Sequence, residues 1–259
     1  MRPKMSQSQL HIESIGQGPD VVMLHGWGVN SAVFTPLQGA LAKYRVHFVD
    51  LPGFGHSPAV NGDIYDWLNA ILEAVPEQAI WTGWSLGGLI ATLAAIHHPQ
   101  RVSALCTIAS SPCFMAGEDW PGIPEKVLSQ FAQQLTQDLD KTIERFLAIQ
   151  AMGSETAKGD IKQLRELVLT KPQAQQTALA QGLAMLERVD LRAELSQINQ
   201  PWLRVWGRLD GLVPRRMIKA MPQLPQSQDL LLHKASHAPF ISHQQEFLDG
   251  FNLWLDEQV

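Results

Sequence analysis

The sequence predicts an α/β protein: a mostly parallel, twisted sheet with helices on both faces and a helical insertion between two late strands. Three observations carry this. Short apolar runs end repeatedly in loops bearing Gly or Pro, helical patterns separate most of those runs, and from Gly117 to about Gln197 the strand pattern gives way to helices alone. Strands that alternate with helices lie parallel, and fully apolar strands belong inside a sheet covered on both faces.

Residues 9–15 alternate as an edge strand, and residues 21–24 form a buried run that stops at His25-Gly26. A helix is predicted over 31–43, a second buried strand over 46–49 before Asp50-Leu51-Pro52-Gly53, and a helix over 63–75. Strands follow at 79–82 and 105–108, on either side of a helix at 86–98. After four helical stretches in the insertion come a strand at 203–206, a short helix over 215–221, a last strand over 230–232 and a closing helix over 244–258. Local Gln enrichment in the insertion is not low complexity, because Leu128, Phe131 and Leu135 keep helical spacing through it. The division expected is a core of 1–116 and 198–259 with a helical cap of 117–197.

At 259 residues, 45% hydrophobic, the chain can build a sizeable core without metal or disulfide staples. Its formal net charge of -5 argues against a nucleic-acid binder, whose domain is usually basic. Two cysteines, Cys106 in an apolar run and Cys113, fit a reducing compartment. The first residues carry Arg2 and Lys4 but no signal-peptide core, and no run approaches the roughly 18 apolar residues of a membrane span. A cytoplasmic monomer that engages no membrane is the expectation. Neither a metal-ligand cluster nor a phosphate loop nor a dinucleotide fingerprint is present, so no cofactor or metal is expected.

The most informative segment is Ala79-Ile80-Trp81-Thr82-Gly83-Trp84-Ser85-Leu86-Gly87-Gly88-Leu89, where a buried strand enters G-x-S-x-G and turns directly into a helix. The glycines leave room for a sharp turn that lifts the Ser85 hydroxyl above the sheet beside the positive end of the helix. Serine needs a base to become a nucleophile at neutral pH. His237 follows the last predicted strand, and Asp210 lies just past the strand before it, which gives the order nucleophile, acid, histidine. His233 reads as part of a strand and His243 as the opening of the last helix. Asp50 precedes Ser85 and reads as a turn cap. Backbone amides for a developing oxyanion are expected from Leu86, next to the nucleophile, and Trp27, in the Gly26-Trp27-Gly28 loop, with His25 holding that loop. Trp84 and Phe146 are candidate walls of an apolar slot.

The chain resembles the α/β-hydrolase superfamily and, within it, the pimeloyl-[acyl-carrier-protein] methyl ester esterase family of biotin synthesis. The likeness rests on Leu24-His25-Gly26-Trp27-Gly28, Val49-Asp50-Leu51-Pro52-Gly53-Phe54-Gly55, the Ser85 motif, Leu209-Asp210-Gly211-Leu212-Val213-Pro214 and His237-Ala238-Pro239-Phe240. Narrower signals are Ser110-Ser111-Pro112-Cys113-Phe114, Trp120-Pro121-Gly122-Ile123 and Arg145-Phe146-Leu147-Ala148. The resemblance implies an α/β-hydrolase fold with a helical cap, and hydrolysis of the methyl ester on a pimeloyl chain carried by acyl carrier protein. It also implies substrate contacts at Trp27, Ser85, Leu86, Phe146, Leu147, Ala148, Ile149, Gln150 and His237.

Basic residues Lys141 and Arg145, then Lys158, Lys162 and Arg165, fall at helical spacing. With position matching to the family, Lys141, Arg145, Lys158 and Lys162 become a candidate docking face for the acidic carrier. Here the chain departs from the family's arginine-rich pattern, since lysine keeps the charge and loses the bidentate fork. Competing readings are a general short-chain carboxylesterase or thioesterase without a carrier, a carbon-carbon bond hydrolase, and a non-catalytic hydrolase fold used for binding. Ser85 as the nucleophile excludes dehalogenase and epoxide hydrolase chemistry, which uses a carboxylate.

Overall fold

A computed structural model describes residues 9–259, so Arg2 and Lys4 lie outside the described residues. Among the described residues seven strands form one sheet in the order β1-β3-β2-β4-β5-β6-β7, namely β1 Ile12–Ile15, β2 Asp20–Leu24, β3 Arg45–Val49, β4 Ala79–Trp84, β5 Val102–Ile108, β6 Trp202–Gly207 and β7 Ser227–Leu232. All neighbouring pairs are parallel except β1 with β3. That is the mostly parallel sheet the apolar runs predict, with the antiparallel strand confined to the edge.

Side chains of β4 alternate between the two faces. Ala79 and Trp81 join one apolar cluster with helices α1 Ile64–Ala74 and α2 Leu86–His97, while Ile80 and Trp84 join another with Phe34, Leu37, Phe247 and Phe251. Both faces are therefore dry, which explains why these strands read as unbroken apolar runs. Helix α1 begins at a reciprocal cap: Asp63 accepts from the Tyr65 and Asp66 amides, and Asp66 accepts from the Asp63 amide.

Four helices lie between β5 and β6: α3 Glu125–Gln137, α4 Leu139–Gln150, α5 Ala157–Val168 and α6 Gln176–Arg188. Short helices α7 Met217–Ala220 and α8 Pro239–Ser242 and the closing α9 Gln244–Asp256 complete the chain. Three expectations are corrected. The 31–43 helix is a 3-10 segment, Ser31–Leu41, because Pro36 inside it removes an amide donor and crowds the preceding turn. The 215–221 helix shrinks to α7, since the amides of Met217, Ile218 and Lys219 all close three-residue turns. His233 lies in the turn after β7, exposed, where its carbonyl accepts from the Arg208 guanidinium.

Because β3 and β4 lie on opposite sides of β2, the chain leaves the carboxyl ends of β2 and β4 in opposite directions. A crevice opens at such a switch point. The loop after β2 and the turn after β4 flank it.

Two glycines report how tight this region is. A Cβ at Gly87 would sit 2.3 Å from the Leu24 carbonyl oxygen, whereas one at Gly159, inside α5, meets nothing within 4 Å. Gly87→Ala is expected to cost more than about 2 kcal/mol through backbone displacement, and Gly159→Ala to stabilise by about 0.5–1 kcal/mol through helix propensity. Thermal melts of the two variants check this; a neutral Gly87→Ala would show that α2 can shift from β2.

Candidate active site

Ser85 stands between β4 and α2 with φ 54 and ψ -117, a conformation that costs a non-glycine residue on the order of 1–3 kcal/mol. Fixed partners hold it there. Its amide donates to the Ile108 carbonyl, and its carbonyl accepts from the Gly88 and Leu89 amides and from the Ser110 hydroxyl at 2.7 Å.

His237 Nε2 lies 3.0 Å from Ser85 Oγ and its Nδ1 lies 2.8 Å from Asp210 Oδ2. The Leu212 and Val213 amides donate to the other Asp210 oxygen, so the carboxylate is aimed from both sides. With Nδ1–H donated to Asp210, Nε2 is left to accept the serine proton. All three side chains are buried. The arrangement can deprotonate a serine hydroxyl and return the proton to a leaving group.

The histidine loop is fastened on two sides. Trp84 donates its indole N–H to the His237 carbonyl at 2.8 Å and packs edge-on against Phe240, so this ring supports the loop rather than lining an acyl slot. From the end of α4, the Gln150 carbonyl accepts the His237 amide and the Met152 carbonyl just beyond it accepts the Ser236 hydroxyl.

Gly26 brings the loop after β2 against Ser85: a Cβ there would lie 3.2 Å from Ser85 Cβ. Trp27 follows, buried, its indole donating to the Leu179 carbonyl of α6 and its ring 4.7 Å from that of Phe146. Leu86 is the first residue of α2, where a helix's leading amides have no intrahelical acceptor. Phe146 also contacts Phe131 edge-on, so three rings close over the loop. Of the predicted contact stretch, Phe146, Leu147 and Gln150 are buried and Ile149 is half-buried. Ala148 is exposed, on the outward side of α4. Both polar atoms of the Gln150 amide are buried without a partner.

His25 is the loop-holding residue expected. Its Nδ1 donates to the Gly26 carbonyl at 2.7 Å and its Nε2 accepts the Leu51 amide at 3.0 Å. Burial above all, with Lys171 adding to it, pushes its pKa down to about 4 against the opposing pull of Asp50 and the Gly26 carbonyl. Asp50 is more than a turn cap. Its carboxylate accepts from the Ser31 and His56 amides and from Lys171 Nζ. Sequence reasoning missed Lys171, an isolated lysine whose partners lie far away in the chain.

Lys141, Arg145, Lys158 and Lys162 are all exposed, on α4 and α5, and the Arg165–Glu144 pair at 3.2 Å joins those helices. Part of the positive charge is answered locally by Lys141–Asp138 at 3.0 Å and Lys162–Glu166 at 3.8 Å. Arg145 donates to the Gln134 side chain and lies over the Phe131 ring at 5.3 Å, which links this face to the aromatic cluster. Among the described residues no group of His, Cys, Asp or Glu could hold a metal ion, and no helix is long and apolar enough to cross a membrane.

The alpha/beta hydrolase fold family model matches residues 19–244. A pimeloyl-[acyl-carrier protein] methyl ester esterase of Shewanella woodyi is 66% identical over 96% of this chain and 99% of that protein. The protein of that name from Aeromonas hydrophila is 54% identical over 92% of this chain and 96% of its own. Among solved structures, an esterase from Exiguobacterium antarcticum superposes with a TM-score of 0.85 at 24% identity, covering 95% of both chains. An enol-lactonase from Burkholderia xenovorans does so at 0.81 and 19%, covering 95% of this chain and 96% of its own. At such identities these two structures speak for the fold alone.

The buried neutral His25 makes stability depend on pH. The unfolded chain takes up this proton near pH 6.5 and the fold near 4, so stability is present above 6.5 and is lost as pH falls through that interval, by up to about 3 kcal/mol. Denaturant melts at pH 7 and 4.5 are expected to show that loss, and His25→Gln, though less stable at pH 7, to show a shallower pH slope. Identical slopes would locate the acid sensitivity elsewhere.

Proposed function

The chain belongs to the alpha/beta hydrolase fold family, and from that membership we propose that it is a serine carboxylesterase that hydrolyses the methyl ester of pimeloyl-acyl carrier protein, releasing methanol and pimeloyl-acyl carrier protein in biotin synthesis. The observation that carries the chemistry is the continuous hydrogen-bond line from Asp210 through His237 to Ser85. The names of the relatives at 54–66% identity support the substrate.

In the first half of the cycle His237 Nε2 takes the Ser85 proton as Oγ attacks the ester carbonyl. The amides of Trp27 and Leu86 receive the oxyanion. His237⁺, stabilised by Asp210, then protonates departing methanol and leaves an acyl-serine. In the second half His237 deprotonates water, and collapse of the second tetrahedral adduct frees the carboxylate and restores Ser85.

Residues 117–197 act as the cap over a core of 1–116 and 198–259, of which 1–8 lie outside the described residues. Phe146, Leu147, Ile149 and Gln150 form the substrate wall, and the exposed Ala148 bounds it. Carrier docking falls to Lys141, Arg145, Lys158 and Lys162, with Arg145 nearest the aromatic cluster. The enzyme works as a cytoplasmic monomer without cofactor, metal, nucleic acid or membrane.

Ser85→Ala is expected to fold normally and lose turnover by at least about a thousandfold. Its control value lies in a comparison of carrier-bound methyl ester with a free short-chain ester. A strong preference for the carrier-bound ester, abolished in Ser85→Ala, supports the reading; equal rates on the free ester would reassign the chain as a general carboxylesterase.

The docking face has its own test. Arg145→Glu with Lys162→Glu is expected to raise KM for the carrier-bound ester about tenfold or more at low salt and to leave the free ester unchanged. Equal loss on both substrates would remove these residues from docking.

A further inference from the structure

The loop that carries Trp27 is fastened to the cap at three points. Trp27 Nε1 donates to the Leu179 carbonyl, Asn30 Nδ2 donates to the Val168 carbonyl at 2.9 Å, and Ser31, the next residue, accepts from Lys171 Nζ at 2.8 Å. The first two are neutral bonds, to a carbonyl in the first turn of α6 and to the last carbonyl of α5, and the third is the ammonium of a lysine whose side chain is 7% exposed. Lys171 lies between α5 and α6 and reaches across to the core. It meets the fully buried Asp50 carboxylate at 3.2 Å and Glu13 of β1 at 2.6 Å.

Asp50 in turn receives the Ser31 amide at 2.9 Å. One residue of the loop's end is thus gripped twice, by its amide to the anion and by its hydroxyl to the cation. We propose that Lys171 is a positioning residue of the reaction: carried by the cap, its ammonium completes with Asp50 and Ser31 a buried clamp that sets the loop bearing the Trp27 oxyanion donor. The inference rests on the serine-esterase reading of Ser85 and is independent of which ester the enzyme takes.

A buried carboxylate without its cation is costly, and a neighbouring base answers by taking up a proton. The charged and titratable groups facing this cluster are Asp50, Lys171, Glu13, His25, His11 beside Glu13, and His56, whose amide donates to Asp50. His25 feels Asp50 and Lys171 in opposite senses. With Lys171 gone, Asp50 acts on His25 alone, and a protonated His25 has no lone pair for the Leu51 amide. The start of the loop then loses its anchor as well as its end. A purely structural lysine would lower the melting temperature and leave the catalytic pH profile in place.

The experiment measures kcat and KM for p-nitrophenyl acetate across pH in wild type, Lys171→Met and Ser31→Ala, each normalised to sites labelled to completion by a fluorophosphonate. Binding of a trifluoromethyl ketone, which forms an oxyanion adduct, is measured in parallel. Lys171→Met is expected to lower kcat per labelled site about tenfold with KM within twofold, to weaken the ketone in proportion, and to move the acid limb to higher pH. Ser31→Ala, which removes no charge, is expected to show a smaller kcat loss with the acid limb in place. Unchanged kcat per site in both variants, or a loss confined to KM, overturns the proposal. Should Lys171→Met fail to fold, Ser31→Ala decides alone, and a wild-type kcat there overturns it. A wild-type protein that takes no label and cleaves no ester would instead sink the serine-esterase reading.

Discussion

The backbone turn at Ser85 is the constraint around which the rest is arranged. A serine at φ 54 is held against its own preference, and the structure supplies the restraint from three directions: β5 and the loop after it through Ile108 and Ser110, α2 through its first turn, and β2 by close packing at Gly87. No Cβ fits at that contact, so the glycine of the motif is demanded by a neighbouring strand as much as by the turn itself. The strain is local, and it points the hydroxyl out of the sheet at the switch point where the loops after β2, β6 and β7 arrive.

What those loops have in common is that each is fixed by atoms outside itself. The histidine loop is tied by Trp84 from the sheet and by Gln150 and Met152 from the end of α4; the loop that bears Trp27 is tied by α6, by the end of α5 and by Lys171. The helical segment between β5 and β6 is therefore tied into both loops rather than laid over them. The loops that bear His237 and Trp27 both have atoms of the segment between β5 and β6 among their supports, and the aromatic cluster of Trp27, Phe131 and Phe146 fills the space between.

Sequence alone disclosed the parts whose signals are local. G-x-S-x-G between strand and helix, two late loops with Asp210 and His237, and apolar runs buried on both faces are each complete within about a dozen residues. Parts that depend on distant partners were invisible. Lys171 sits in Thr170-Lys171-Pro172 with nothing nearby to mark it, because Glu13, Ser31 and Asp50 reach it through the fold. Trp84 looked like a pocket wall beside the nucleophile, yet strand alternation turns it to the opposite face, where it holds the histidine loop. Helical spacing over 31–43 misled for a physical reason: the apolar residues do face the sheet, but Pro36 forces the tighter 3-10 path.

Two histidines show why burial by itself identifies nothing. His25 and His237 are both fully enclosed, within the same crevice, and each makes two hydrogen bonds through its ring. Both ring partners of His25 are backbone groups, a carbonyl and an amide, which fix one neutral tautomer and are themselves unreactive. His237 has a carboxylate on one side and a hydroxyl on the other, so a proton gained there would have both a source and a compensating charge. The same ring in the same dry surroundings is a brace in one place and has the partners a base requires in the other, and the difference is made by what lies 3 Å from each nitrogen.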